Sequence, residues 1–288
     1  MGLTRGNTEL ISIFTGKPLN AGGLATFNEF PMGEAFTRLL LRINIALTIG
    51  TGTGPIAESE LGIIKSITLR NSRNWTLFNN VPLRGLFRLN QIKERTMGVK
   101  DAMAAATATY RAFASLWFSD PMMLRPEDTM LDTSLFQGMQ LEISAGSVAD
   151  LLTSPGTATI ALSYDLFGER VKGKIPAKIK PTEYPFVACP SPVNPASATE
   201  ISFERANNLA IKRVLVQAAN SATSGQAFSG TPADTTIATI GVDTDKGKAY
   251  DEIPWAVLNS IHKQDSEMET ALPGYVLFDF CKDRSRYS

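Results

Sequence analysis

Between Phe36 and Gly50 the chain reads FTRLLLRINIALTIG, with Leu39, Leu41, Ile43, Ile45, Leu47 and Ile49 on one parity and Arg38, Arg42, Asn44 and Thr48 on the other. A period of two sustained over this length demands a long strand with one face in a core and the other outside it. Gly50-Thr-Gly-Thr-Gly54-Pro55 ends the strand: glycines at that density favour the positive φ of a tight loop, and Pro55 has no N–H to donate to a ladder. The same run lacks the Lys-Ser/Thr of a phosphate-binding loop and has no amphipathic helix after it, so it is read as a hairpin loop.

Further strands are expected at Ile63–Arg70, around Phe113–Ser119, at Met139–Ser144 and at Thr159–Asp165. One short helix is expected over Val99–Thr109, from the propensity of its alanines. Six prolines between Gly173 and Pro195 make that stretch a connector. Beyond it, strands are expected at Glu200–Glu204, Lys212–Gln217, Thr235–Val242 and Tyr275–Phe280, with a helix over Trp255–Lys263. Many short strands with turn-rich links indicate an antiparallel sandwich or barrel.

Two internal matches suggest duplication. Leu61-Gly-Ile-Ile-Lys65-Ser-Ile-Thr-Leu69 is similar to Asn208-Leu-Ala-Ile-Lys212-Arg-Val-Leu-Val216, and Phe113-Ala-Ser-Leu-Trp-Phe118-Ser-Asp120 to Tyr275-Val-Leu-Phe-Asp-Phe280-Cys-Lys-Asp283. They occur in the same order on either side of the connector, as expected of one β domain repeated in tandem. With 288 residues the chain has room for two domains.

Charge and composition narrow the function. The 28 basic residues equal the 28 acidic ones, so no net field draws the chain to nucleic acid or to an anionic membrane. Cys189 and Cys281 lack metal-ligand or disulfide-framework spacing and read as small core residues. Thr4, Arg5, Asn7 and Glu9 interrupt any signal-peptide core, and no apolar run reaches the length of a membrane span, so a cytosol-like compartment is expected. Gly6 occupies the position where an N-myristoylation motif starting at Gly2 needs Ser or Thr.

Candidate site residues are few. Asp128 and Asp132, with Glu127, could ligate a hard cation through carboxylates, or could cap their turn by accepting backbone N–H bonds. His262 is the only histidine, too few for a metal cupin, and no Ser–His–Asp arrangement is visible near it, so it reads as a surface or interface residue. Asn74-Trp-Thr76 fits a glycosylation sequon but reads as a turn with a buried Trp. Arg38 and Arg42 belong to a solvated or intersubunit face, or to one that meets lipid heads. No catalytic residue and no cofactor is expected, because no acid, base and nucleophile converge.

The apolar strand ending at Phe118, the loop Asp128-Thr-Met-Leu-Asp132-Thr133 and the strand Gln140-Leu-Glu-Ile143, preceded by Ile63–Leu69, resemble the first domain of double jelly-roll major capsid proteins of membrane-containing icosahedral bacteriophages, the corticovirus and finnlakevirus kinds. The resemblance covers Phe36 to Asp165, and the second half through the internal matches. It implies an all-β chain of two tandem jelly rolls with a few short helices: an N-terminal arm at 1–30 that orders on assembly, a first roll at 31–170, a connector at 171–195 and a second roll at 196–288. It implies a structural, non-enzymatic protein, made in the host cytoplasm, that forms the virion shell as homotrimeric pseudo-hexamers. Partners would be further copies, penton and minor capsid proteins and an internal membrane, without direct contact to nucleic acid. The first roll continues from Asp120 to Asp165 whereas little follows Asp283, so the second is expected to be short at its C-terminal end, through truncation or because its last strands come from elsewhere in the sequence or from a neighbour. A carbohydrate-binding jelly-roll module, such as a spike or lectin-like domain, is the alternative.

Overall fold

The computed structural model describes residues 8–72, 75–94, 100–118, 130–172, 184–185, 211, 213–220, 231–244, 247–265 and 272–280. Eight strands organise the first half: β1 (Thr8–Leu19), β2 (Leu24–Phe27), β3 (Ala35–Thr48), β4 (Ile64–Asn71), β5 (Thr76–Val81), β6 (Ala108–Trp117), β7 (Met139–Ala145) and β8 (Thr159–Val171). They form two antiparallel sheets in the orders β1-β8-β3-β6 and β2-β7-β4-β5. Only β4 and β5 are both consecutive and paired, and the other links cross between sheets, which is the winding of a jelly roll.

Parity makes the core. Leu39, Leu41, Ile43, Ile45 and Leu47 of β3 face Ile67 and Leu69 of β4 and Met139, Leu141 and Ile143 of β7 within one apolar cluster. Fully burying each such side chain contributes roughly 1.5–3 kcal/mol. In β4 the register slips between Ile64 and Ser66, so that Ile64 and Ile67, three residues apart, both point inward.

Residues 8–19 and 24–27, expected within an arm, are instead edge strands of the two sheets. The reason lies in aromatic residues. Phe14 packs on Phe27 with ring centroids 4.1 Å apart and edge-on to Tyr164 at 5.1 Å, and Phe27 continues to Phe30 at 5.3 Å. These contacts tie the segment to the core without any partner chain.

The helix expected over Val99–Thr109 does not form. Residues 101, 102 and 104–107 lie exposed with no apolar face to bury, and the chain enters β6 at Ala108, so propensity alone had nothing to pack against. The helices lie elsewhere: α1 (Ser59–Gly62) and α2 (Leu83–Glu94), the latter burying Leu83, Leu86, Phe87 and Asn90 at helical spacing. Asn90 Nδ2 donates to the Ser115 carbonyl at 2.9 Å, satisfying a backbone group of the outermost strand β6.

After β8, Tyr184–Pro185 (β9) adds a short parallel strand beside β5. The rest of the connector and Glu200–Glu204 lie outside the described residues. In the second half come β10 (Arg213–Gln217), β11 (Thr239–Thr244), β12 (Gly247–Pro254), α3 (Trp255–Asp265) and β13 (Tyr275–Asp279). The strand expected to open at Thr235 begins at Thr239; Asp234, in the turn before it, accepts from Trp255 Nε1, Asn259 Nδ2 and the Gly274 N–H at 2.9, 2.8 and 2.7 Å. Strand β12 carried no clear alternation in sequence. A second apolar cluster gathers Ala218, Trp255, Leu258, Val276 and Phe278. No helix among the described residues is long and apolar enough to cross a membrane.

The pairings reveal the repeat. Strand β10 pairs antiparallel with β13 as β3 does with β6, β11 pairs with β12 as β4 does with β5, and α3 follows β12 as α2 follows β5. The match of Phe113–Asp120 with Tyr275–Asp283 therefore sets β6 on β13, which are equivalent. The match of Leu61–Leu69 with Asn208–Val216 sets β4 on β10, which are not, because alternation in two amphipathic strands is alike wherever they sit. A better signal was Val81-Pro-Leu-Arg-Gly-Leu86 against Ile253-Pro-Trp-Ala-Val-Leu258. Each proline stands at the start of its helix, and the apolar positions three residues apart reach the core.

Candidate assembly surfaces

The first surface is the seam between the halves. Glu58 adopts a left-handed backbone (φ 57°, ψ 25°) just before α1, which is unfavourable for a residue with a Cβ. Two arginines one turn apart on α2 hold it there. Arg84 Nη2 donates to the carbonyls of Ala57 and Glu58 at 3.2 and 3.1 Å, and Arg88 forms an ion pair with the Glu58 carboxylate. From the second half, the Tyr275 hydroxyl donates to Glu58 Oε2 at 3.4 Å, and its ring lies 5.3 Å from the Arg88 guanidinium. Beside them Lys100 pairs with buried Glu60.

Burial sets the proton affinities here. It pulls both guanidinium groups below their usual range, opposed by Tyr275 and, for Arg84, by Glu60. It pushes the Tyr275 phenol up, with the two arginines acting against it. A carboxylate between two buried guanidinium groups compensates charge that would be costly alone, and Tyr275 links this cluster to the second half. Sequence reasoning missed Glu58, Arg84, Arg88 and the role of Tyr275; two arginines at i, i+4 within the apolar first half of the helix were the available signal.

The second surface is the outer face of the β1-β8-β3-β6 sheet. Arg38 Nε donates to Glu169 Oε2 at 2.7 Å and its guanidinium stacks 4.5 Å from the centroid of Trp117. Arg42 pairs with Asp165, which also accepts from Asn44 Nδ2 at 3.0 Å and the Gly16 N–H at 2.7 Å. Burial alone would raise the Asp165 pKa, but these donors outweigh it and hold the carboxyl below its usual range. Both arginines are thus engaged within their own sheet.

Of the residues singled out in sequence, Asp128, Glu127, Asn74 and both cysteines lie outside the described residues. Asp132 Oδ1 accepts from the Ser134 N–H at 2.9 Å, capping a short turn, while Thr133 Oγ1 donates to the Glu34 carbonyl at 2.8 Å. Among the described residues no group of three or more His, Cys, Asp or Glu is arranged to hold a metal ion. His262 falls on α3. The Gly50–Gly54 loop crosses between sheets and so is not a hairpin; Thr51 and Thr157 exchange reciprocal N–H to Oγ1 bonds at 3.1 Å, fastening it to the loop before β8. Gly54, with φ 69°, leaves no room for a Cβ against Thr153.

No family model and no curated protein matches the chain. Solved structures do. The major capsid protein of Sulfolobus turreted icosahedral virus is 14% identical, with 96% of this chain and 86% of that one covered at a TM-score of 0.65. In the atomic structure of the same virus the values are 13%, 96%, 80% and 0.68. The VP54 protein of PBCV-1, fitted into a reconstruction of the virophage Sputnik, is 10% identical, with 97% and 79% covered at 0.54. The likeness runs along nearly the whole chain, and its fold is the double jelly roll of these viral capsid proteins.

Proposed function

We propose that the chain is a structural major capsid protein, without enzymatic activity, that trimerises so that three chains present six jelly rolls in one capsomer of an icosahedral shell. The observation that carries this reading is the internal repeat: the β3-β4-β5-α2-β6 arrangement recurs as β10-β11-β12-α3-β13 within one chain. A pseudo-hexamer of three subunits needs such a duplication. The rolls are taken to occupy roughly residues 8–172 and 196–288, on either side of the Pro-rich connector. No metal is assigned to Asp128 or Asp132. Equal numbers of basic and acidic residues fit a coat separated from the genome by an internal membrane, with penton and minor capsid proteins completing the virion. Synthesis in the host cytoplasm goes with this role.

The lectin-like reading needs exposed aromatic side chains on loops. Trp255 is buried, Trp117 lies beneath Arg38, and Trp75 packs 5.8 Å from Phe136, so none supports it. The test is negative-stain electron microscopy of the concentrated protein together with its sedimentation mass. Trimers that close into shells or sheets of hexagonal units support the reading; a monomer that forms no particles and binds a glycan overturns it.

A further inference from the structure

The repeat also shows where one helix face is covered in the first half and bare in the second. Superimposing Pro82 on Pro254 places Arg84, Gly85, Arg88 and Leu89 of α2 on Ala256, Val257, Ser260 and Ile261 of α3. On α2 these positions are buried or half-buried: the helix lies against β10, and Arg88 meets Tyr275 of the second half. On α3 all four are exposed, Val257 at 47% and Ile261 at 42%. Chemistry changes with the position. The two buried arginines of the seam are replaced by Ala256 and Ser260, and Ser260 Oγ returns its hydrogen bond to the Ala256 carbonyl at 2.9 Å. What remains is an apolar strip that demands no ionic partner.

We propose that the α3 face of Ala256, Val257, Ser260 and Ile261 docks against the first jelly roll of a second copy of this chain, repeating between subunits the contact that α2 makes with the second half inside one. The proposal rests on the capsomer reading. If first and second rolls alternate around a ring, each α2 is covered by the second roll of its own chain and each α3 by the first roll of the next. The contact is head-to-tail, so it propagates until the ring closes, and three chains close it. The covering element in the first half identifies the occupant in the second.

The experiment uses the full chain and compares the native protein with the double variant Val257→Asp, Ile261→Asp by sedimentation equilibrium, circular dichroism and electron microscopy. The expected result is a native trimer, and a folded variant whose association is at least 100-fold weaker, leaving monomer at concentrations where the native protein is fully trimeric. A folded variant that stays trimeric overturns this inference while leaving the capsomer reading intact. A native protein that stays monomeric at every concentration overturns both. Should the aspartates disturb folding, Ala256→Arg places one long side chain on the same face, and unchanged trimerisation with this variant sinks the inference equally.

Discussion

The Tyr275 hydroxyl in the second half reaches Glu58 of the first at 3.4 Å, across more than 200 positions of sequence. Glu58 holds a left-handed backbone, and the residues that reward this conformation are two arginines on a separate helix and a phenol from the other half. Replacing Glu58 by Ala leaves Arg84 and Arg88 buried without their carboxylate, and the expected loss is about 3–5 kcal/mol. Glu58→Gly loses the same carboxylate but relieves the positive φ, so it should be about 1 kcal/mol more stable than the Ala variant. Urea denaturation of the pair measures the difference, and equal midpoints would refute strain at this position.

Alkaline stability should depend on the same phenol. Burial raises the Tyr275 and Tyr164 pKa values in the folded chain above the unfolded value of about 10. A phenol whose folded pKa is raised contributes stability that is complete below about pH 10 and is lost as pH climbs through the folded value. Tyr275→Phe should therefore flatten the fall of Tm above pH 10, with Tyr164 left to account for the remainder. A Phe variant whose Tm falls as steeply as the native protein's would exclude Tyr275 from this role.

At the acid end the sign reverses. The Asp165 carboxyl is held low by Gly16, Asn44 and Arg42 against the effect of its burial. Its contribution is present above the unfolded pKa of about 4 and disappears as pH falls through the lower folded value. Asp165→Asn is expected to cost roughly 2 kcal/mol at neutral pH, as for hydrogen bonds to a charged group, and progressively less as pH falls through the lowered folded value. Convergence of the two melting curves at low pH is the check.

Most of the first roll was legible in sequence because parity in β3 and β7 is a local property that burial merely enforces. What escaped was set by distant partners. The segment around Phe14 reads as an arm until Phe27 and Tyr164 are known to lie beside it, and the alanines of Val99–Thr109 read as a helix until they are found with nothing to cover. The seam was invisible for the same reason: Arg84 and Arg88 look like surface charges unless Tyr275 is placed against them. The repeat was recognised from alternation, which is common to all amphipathic strands, when the Pro-Leu and Pro-Trp helix starts carried the specific information.

In the second half, one exposed carboxylate organises a buried cluster. Asp234 Oδ1 accepts from Trp255 Nε1, Asn259 Nδ2 and the Gly274 N–H, and Trp255 and Asn259 are both buried. Asp234→Ala would remove the acceptor that these three donors share, at a cost of about 1–3 kcal/mol. Trp255→Ala should cost more, about 3–5 kcal/mol, through the cavity it opens beside Leu258 and Phe278. The order of the two midpoints in denaturant tests whether packing or the hydrogen-bond hub dominates.

A glycine that the sequence shows only as a break in a strand is confined by its neighbours. Gly168 lies in β8 beside fully buried Phe36, and a Cβ at 168 would fall 2.4 Å from Phe36 Cε1 and 3.2 Å from Ile13 Cδ1. Its backbone needs no special φ, so the constraint is space and nothing else. Gly168→Ala must displace the Phe36 ring and should destabilise by about 1–3 kcal/mol, the range for overpacking. Shortening the neighbour makes room: in a Phe36→Leu background the alanine should cost much less than it does alone. A double-mutant cycle measures the coupling between the two sites, and strict additivity would show that the Phe36 ring is not what excludes a side chain at 168.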